Sequence, residues 1–286
     1  MRSGQRVALA GIIVSFTLAA IKIITGLAGH STAVVADGLE SAGDVLASGL
    51  VLFALTLAAK PADEDHPYGH GRVEILSGLL IGLLLTAGGS LICYGSIDRL
   101  GRVQPPVAAY VVWPLLASLT AKATLATVKF RYGRKMQSSA LTADAWNDAM
   151  DTLSATVALA GVGLALSDPA RFRDADRWGG FAVGLVVVMV GLRVAYDTAM
   201  QLMDTMPDEG HMHQIRAAAA TMPGVRGVEK CFARKTGLRY HVDLHLEVNP
   251  EMTVRESHQL AHEVRERILD QLDWVADVLV HVEPAP

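Results

Sequence analysis

Apolar residues run without a charge from Ile75 to Ile97, a stretch long enough to cross roughly 30 Å of hydrocarbon as a helix. The stretch 103–121 is nearly as long. Four further stretches, about 7–28, 32–59, 138–166 and 178–203, are apolar but interrupted by polar positions. The pattern predicts six spanning helices, or five if the first lies only at the interface. Lys22, near one end of the first, can snorkel to water. The ten-residue alternation that a membrane barrel needs is absent.

Beyond residue 206 the pattern changes. In "YHVDLHLEV" the residues Tyr240, Val242, Leu244, Leu246 and Val248 fall on one face, and His241, Asp243, His245 and Glu247 on the other. That is the signature of a half-buried strand. "VRGVEKCFAR" and "DVLVHVE" read as two more strands. Residues 209–221 and 253–272 read as helices, the second opening on Thr253 as its N-cap. The order helix, strand, strand, helix, strand fits a small α+β domain of ferredoxin-like type. The expected fold is therefore an α-helical membrane protein with six transmembrane helices over 1–206, followed by an α+β domain over 207–286.

Composition agrees with a membrane chain: 51% of the 286 residues are hydrophobic and 19% charged. The formal net charge of -4 argues against nucleic acid as a partner. Of the two cysteines, Cys93 lies in an apolar run and Cys231 in the polar C-terminal part, so no disulfide framework is expected. "MRSGQR" precedes an apolar stretch as a signal peptide would, but no small-residue cleavage site follows, which points to a retained first span. The most basic connection, "KFRYGRK" at 129–135, is expected on the cytoplasmic side. Counting spans from there places both termini in the cytoplasm, together with the connection 60–74. Arg171, Arg173 and Arg177 in the loop 168–177 weaken that asymmetry.

Candidate chemistry begins with charges inside the spans. Each ionisable residue at mid-bilayer costs on the order of 3 kcal/mol. Spans two and five nevertheless carry Asp37, Glu40, Asp44, Asp144, Asp148 and Asp151. "ADGLESAGD" from Ala36 returns as "ADAWNDAMD" from Ala143, with Asp, a polar residue three positions on, and Asp seven positions on. On a helix these offsets share one face, so Asp37, Glu40 and Asp44 form one stripe and Asp144, Asn147 and Asp151 another. Two facing stripes would gather oxygen ligands whose charges repel unless protonated or neutralised by a cation. Asp37 and Asp144 fit equally well as helix caps or as the lining of a wet vestibule. For Glu40, Asp44 and Asp151 a structural role is the poorer reading, because nothing basic lies beside them in sequence. Asn147 draws its weight from its place in the repeat.

Two further groups have metal-ligand character. In "DEDHPYGHGR" (63–72), Asp63, His66 and His70 are suitably spaced. Pro67 and Gly69 make the segment a turn, unlike the helical two-histidine zinc site of metalloproteases. The competing reading is a polar loop with hydrogen-bonded histidines. In the C-terminal domain His241 and His245 share a strand face, His258 and His262 lie one helical turn apart, and His281 and Glu283 share a face of the last strand. A single exposed histidine usually binds nothing; three elements each offering one make a site worth testing.

Taken together, "ADGLESAGDVLAS", "HPYGHGRVE", "ADAWNDAMD", the "LMD" before the C-terminal domain and "VLVHVEP", in that order along the whole chain, resemble the cation diffusion facilitator family. The resemblance implies a homodimer of six-helix subunits in the lipid bilayer, with a cytoplasmic ferredoxin-like domain, exporting divalent metal ions in exchange for protons and using no prosthetic group. By position it implies transport ligands at Glu40, Asp44, Asn147 and Asp151, and a loop site at Asp63, His66 and His70. It implies a regulatory site at His245, His258 and His281, with Glu283 where related chains often have Asp, and an Arg72–Asp204 pair near the membrane surface that holds the dimer together. Zinc exporters of this family usually offer histidine among the four transport ligands. This chain offers three carboxylates and an amide, a set that suits Mn2+ and weakens the case for Zn2+. Fe2+ and Co2+ stay open, and a zinc exporter of the same family is the nearest rival. With no histidine there, a carboxylate must carry the exchanging proton. Glu40 is the candidate, since its extra methylene lets it leave a metal without moving the helix. An intramembrane metalloenzyme and a membrane-anchored metal sensor are readings of other classes. No zinc-hydrolase motif supports the first, and the intramembrane acids are superfluous for the second.

Overall fold

The computed structural model describes residues 2–58, 60, 62–102, 105–135, 139–237 and 239–286; the side chains of 2–12, 14, 47–48, 51–52, 54–56, 58, 132–135, 139–144 and 147 lie outside that description. Six long helices come first: α1 (Arg2–Ala28), α2 (Thr32–Ala58), α3 (Arg72–Asp98), α4 (Val112–Lys135, entered through a 3-10 turn at Ala109–Val111), α5 (Ser139–Ser167) and α6 (Ala175–Leu202). At 1.5 Å per residue each is about 36–44 Å long, more than the hydrocarbon thickness. Among the described residues, four segments are long and apolar enough to cross a membrane: Arg72–Asp98, Ala109–Arg131, Asp148–Ser167 and Ala175–Leu202; Ser15–Ala28 is a shorter apolar helix.

The chain divides into two compact units, residues 1–50 with 80–195, and residues 51–79 with 196–286. Within the first, Ala33, Val34 and Ala36 of α2 pack with Val111 and Leu115 at the start of α4, Ala158 and Val162 of α5, and Val183 of α6. Helix α4 lies chiefly along α5 and also touches α1. Small residues bring α3 against α6: a Cβ on Gly82 would lie 2.5 Å from the backbone N of Ala195, so only glycine permits that approach.

Two expectations are corrected here. Residues 129–135, read from sequence as a basic loop, form the last two turns of α4. The helix continues past its apolar part because Lys and Arg are good helix formers and because the inner face finds acidic partners. Lys22, expected to snorkel, is 1% exposed. Its Nζ lies 2.7 Å from Asp37 Oδ2 and donates to Ser41 Oγ, Ser118 Oγ and the Asp37 carbonyl. A carboxylate and three further acceptors offset desolvation where the lysine stands, which makes an excursion to water unnecessary. Asp37 is thus an ion-pair partner in mid-helix and not a cap; the Asp144 side chain lies outside the described residues.

Ser31 caps α2 by accepting from Val34 N at 3.2 Å, and a second cap comes from another helix. Asp176 of α6, itself buried, accepts from the Ser31 hydroxyl at 2.5 Å, from Thr32 N at 2.6 Å and from Ala33 N at 3.4 Å. It satisfies the first-turn N–H groups that a helix cannot satisfy itself. Asp176→Ala is therefore expected to destabilise the protein by about 1–3 kcal/mol, read as a fall in the unfolding midpoint in detergent. An unchanged midpoint would show that the cap does not hold α2.

The second unit contains α7 (Glu209–Ala220), β1 (Gly227–Thr236), β2 (Arg239–Val248), α8 (Val254–Gln271) and β3 (Val275–Pro284). The strands lie in the order β1–β2–β3, with β1 antiparallel and β3 parallel to β2. This is the expected order of elements. Val242, Leu244, Leu246 and Val248 face Met212 and Ile215 of α7 and Leu260, Val264 and Ile268 of α8 in one core. The expected cap is present: Thr253 Oγ1 accepts from Glu256 N at 3.3 Å, while Glu256 Oε2 accepts from Thr253 N at 2.8 Å. Both cysteines are free, and burial pushes the Cys231 thiol up to about 11.

Candidate metal sites

The acids of α2 and α5 turn inward, as their spacing requires. Asp151 is buried, and Glu40 and Asp44 are partly buried. Glu40 Oε1 accepts from the Ser154 hydroxyl of α5 at 2.9 Å, so the two helices face each other across this position. Glu40 Oε2 is buried and has no hydrogen-bond partner among the described residues. The Asn147 side chain lies outside the described residues; its backbone stands on α5 one helical turn before Asp151.

What sequence reasoning missed is a cation. Lys122 of α4, 1% exposed, places its Nζ 2.5 Å from Asp151 Oδ2, 3.6 Å from Asp44 Oδ2 and 3.7 Å from Asp148 Oδ1. Lys129, seven residues on, lies 2.5 Å from Asp148 Oδ2. Two of the three acids that had nothing basic beside them in sequence, Asp44 and Asp151, are thus met by a lysine from another helix. Ligand atoms of three residues lie within 4.8 Å of one another in two other groups among the described residues. A signal was available. Leu115, Ser118, Lys122, Ala126 and Lys129 are all buried and follow helical spacing, but the expected span ended at residue 121.

The first of those other groups is Asp63, His66 and His70. The turn folds the chain back so that Asp63 and His66 exchange backbone hydrogen bonds, and Gly69 takes φ 78 to close it. His66 Nδ1 is 3.0 Å from Asp63 Oδ1 and His70 Nε2 is 3.4 Å from Asp63 Oδ2. Desolvation is the largest single influence on Asp63 and raises its carboxyl, but hydrogen bonds from the His66 backbone and ring together outweigh it and keep it below the usual range. In the same unit Arg72 pairs with Asp204 at 2.9 Å within one chain.

The second is His245, His281 and Glu283. Parallel pairing of β2 with β3 sets His245 beside His281, ring centroids 5.0 Å apart. Glu283 Oε1 reaches His245 Nδ1 at 2.5 Å and His281 Nε2 at 3.5 Å. Hydrogen bonds from Glu229 and then His245 hold the Glu283 carboxyl below its ordinary value. His258 is not brought into this group; it faces His262 one turn along α8, ring centroids 4.6 Å apart. His241 is engaged with the Thr236 hydroxyl at 2.8 Å.

Long apolar helices with carboxylates turned inward, joined to an α+β domain, define a multi-pass membrane metal transporter. Family models agree over nearly the whole chain: the cation efflux transmembrane domain matches residues 8–203 and the cytoplasmic domain of cation efflux proteins matches residues 207–285. Manganese efflux system protein MneP of Bacillus subtilis is 31% identical over 98% of this chain and 96% of its own length. Magnetosome protein MamB of Magnetospirillum gryphiswaldense is 31% identical over 93% of this chain and 89% of that protein. Metal tolerance protein C1 of Arabidopsis thaliana is 29% identical over 99% of this chain, which spans 63% of the plant protein's length. The chain belongs to the cation diffusion facilitator family of metal transporters. It is a transporter and not an enzyme, and metal ions are the substrates of its family.

Proposed function

We propose that this protein exports divalent transition-metal ions, Mn2+ foremost, from the cytoplasm across the cytoplasmic membrane in exchange for protons. All six long helices cross the bilayer, both termini face the cytoplasm, and two copies form the working dimer. Glu40 and Asp44 of α2 and Asn147 and Asp151 of α5 bind the ion. The observation that carries this reading is the set of inward-facing carboxylates on two helices of an apolar bundle, contributing oxygen and no nitrogen. Hard divalent ions suit such a set better than Zn2+. The printed name of the Bacillus subtilis relative, a manganese efflux protein, points the same way.

Export by alternating access requires that the ion be released on the far side. With no histidine at the site, the exchanging proton rides on a carboxylate. Glu40 suits that role, because one of its oxygens is held by Ser154 and the other has no hydrogen-bond partner among the described residues. Asp63, His66 and His70 form a loop site on the cytoplasmic side, and His245, His281 and Glu283 form a regulatory site whose occupancy tunes transport. Purified protein in liposomes, with an imposed proton gradient, is expected to accumulate Mn2+ faster than Zn2+. Zn2+ uptake with Mn2+ excluded would reject the ion assignment, and uptake indifferent to the gradient would reject the exchange.

The C-terminal site has its own test. His245→Ala with His281→Ala should weaken metal binding by residues 208–286 by at least about 10–100-fold and lower full-chain flux without stopping it. Calorimetry that detects no metal binding to the unaltered fragment would remove the regulatory role.

A further inference from the structure

The transport reading uses the acids of α2 and α5 but gives no task to the cation among them. Lys122 is buried, comes from a third helix, and reaches Asp151 at 2.5 Å and Asp44 at 3.6 Å, two of the residues assigned to the cargo. An ammonium and a divalent ion in contact with the same carboxylates repel each other strongly away from water. We propose that Lys122 is a tethered competitor of the cargo: it occupies Asp44 and Asp151 when the metal is absent and is displaced from them when the metal binds. This inference rests on the reading that Glu40, Asp44 and Asp151 hold the ion.

Charge and geometry both support it. Among the described side chains, Glu40, Asp44, Asp148 and Asp151 set four carboxylates against the two ammonium groups of Lys122 and Lys129, while Lys22 and Asp37 form a separate pair. A retreat is also present: Asp148, 3.7 Å from Nζ, is not among the cargo ligands and can keep the displaced ammonium company. The flexible stem of lysine allows such a swing, whereas the planar fork of arginine would clamp a carboxylate. A departing ion then leaves carboxylates that the protein's own cation re-covers, which promotes release. The site is loaded against a competitor at effectively fixed concentration.

A lysine that merely pinned α4 to α5 would behave oppositely on removal, so the full-length protein distinguishes the two. Lys122→Met is expected to bind Mn2+ about tenfold tighter or more and to turn over more slowly, so that KM and kcat fall together in liposome flux. Lys122→Arg, which keeps the charge, should bind no tighter than the unaltered protein. Lys122→Met binding Mn2+ equally or more weakly overturns the proposal. The unaltered protein decides the matter even if Lys122→Met does not fold: its structure with Mn2+ bound should place Nζ beyond 4 Å from both Asp44 and Asp151, and Nζ still on Asp151 beside the ion overturns it. Failure of the underlying reading looks different. Asp44→Ala binding Mn2+ as tightly as the unaltered protein removes the site itself, whereas lost binding there with no gain in Lys122→Met removes only the lysine's role.

Discussion

Asp151→Ala is expected to abolish transport and to cost about 3–5 kcal/mol of stability, whereas Asp44→Ala is expected to abolish transport at a much smaller structural cost. Both remove a charged ligand from the proposed ion, and a loss of about 3 kcal/mol in binding lowers occupancy more than 100-fold. They differ in what they do to Lys122. Asp151 holds its ammonium at 2.5 Å, while Asp44 stands 3.6 Å away. Removing Asp151 leaves a buried ammonium with only its longer contacts, but removing Asp44 leaves the short pair intact. Glu40→Ala should resemble Asp44→Ala, since its described partner is the Ser154 hydroxyl. Flux in liposomes and the unfolding midpoint in detergent separate the two effects. Asp44→Ala transporting at the unaltered rate would sink the site assignment. Equal midpoints for the two variants would show that the short Lys122–Asp151 pair does not hold α4 to α5.

Asn147→His should shift preference toward Zn2+ by about tenfold or more, equivalent to about 1.4 kcal/mol. Asn147 stands one turn before Asp151 on α5, and helical spacing puts the two positions on one face. Replacing an amide oxygen donor with imidazole nitrogen changes an all-oxygen set into a mixed one. Zn2+ gains from such a donor, while Mn2+, which is suited to oxygen, does not. The comparison is the Zn2+ to Mn2+ ratio of initial uptake rates in the variant and the unaltered protein. An unchanged ratio would mean that geometry, not donor type, sets the ion preference, and the case for Mn2+ from ligand chemistry would lapse.

Local and periodic features were legible along the chain, because they depend on neighbours within a few residues. Offsets of three, four and seven put Glu40, Asp44 and Asp151 on inward faces, and strict alternation placed Val242, Leu244, Leu246 and Val248 in a core. Thr253 with Glu256 specified a cap, and the turn-forming Pro67 and Gly69 gathered Asp63, His66 and His70. Hydropathy alone found the apolar stretches but misjudged where α4 ends, because it scores a lysine as a stop whether or not a carboxylate awaits it. Packing decided the rest. Lys122 meets Asp44 and Asp151, Lys22 meets Asp37, and Asp176 caps α2, each from another helix. A buried charge is tolerable only beside its partner, and in a helical bundle that partner is set by which faces pack together. The stripes of acid could therefore be read from the sequence of α2 and α5, but which acids the lysine of α4 meets was decided only once α4 lay against them.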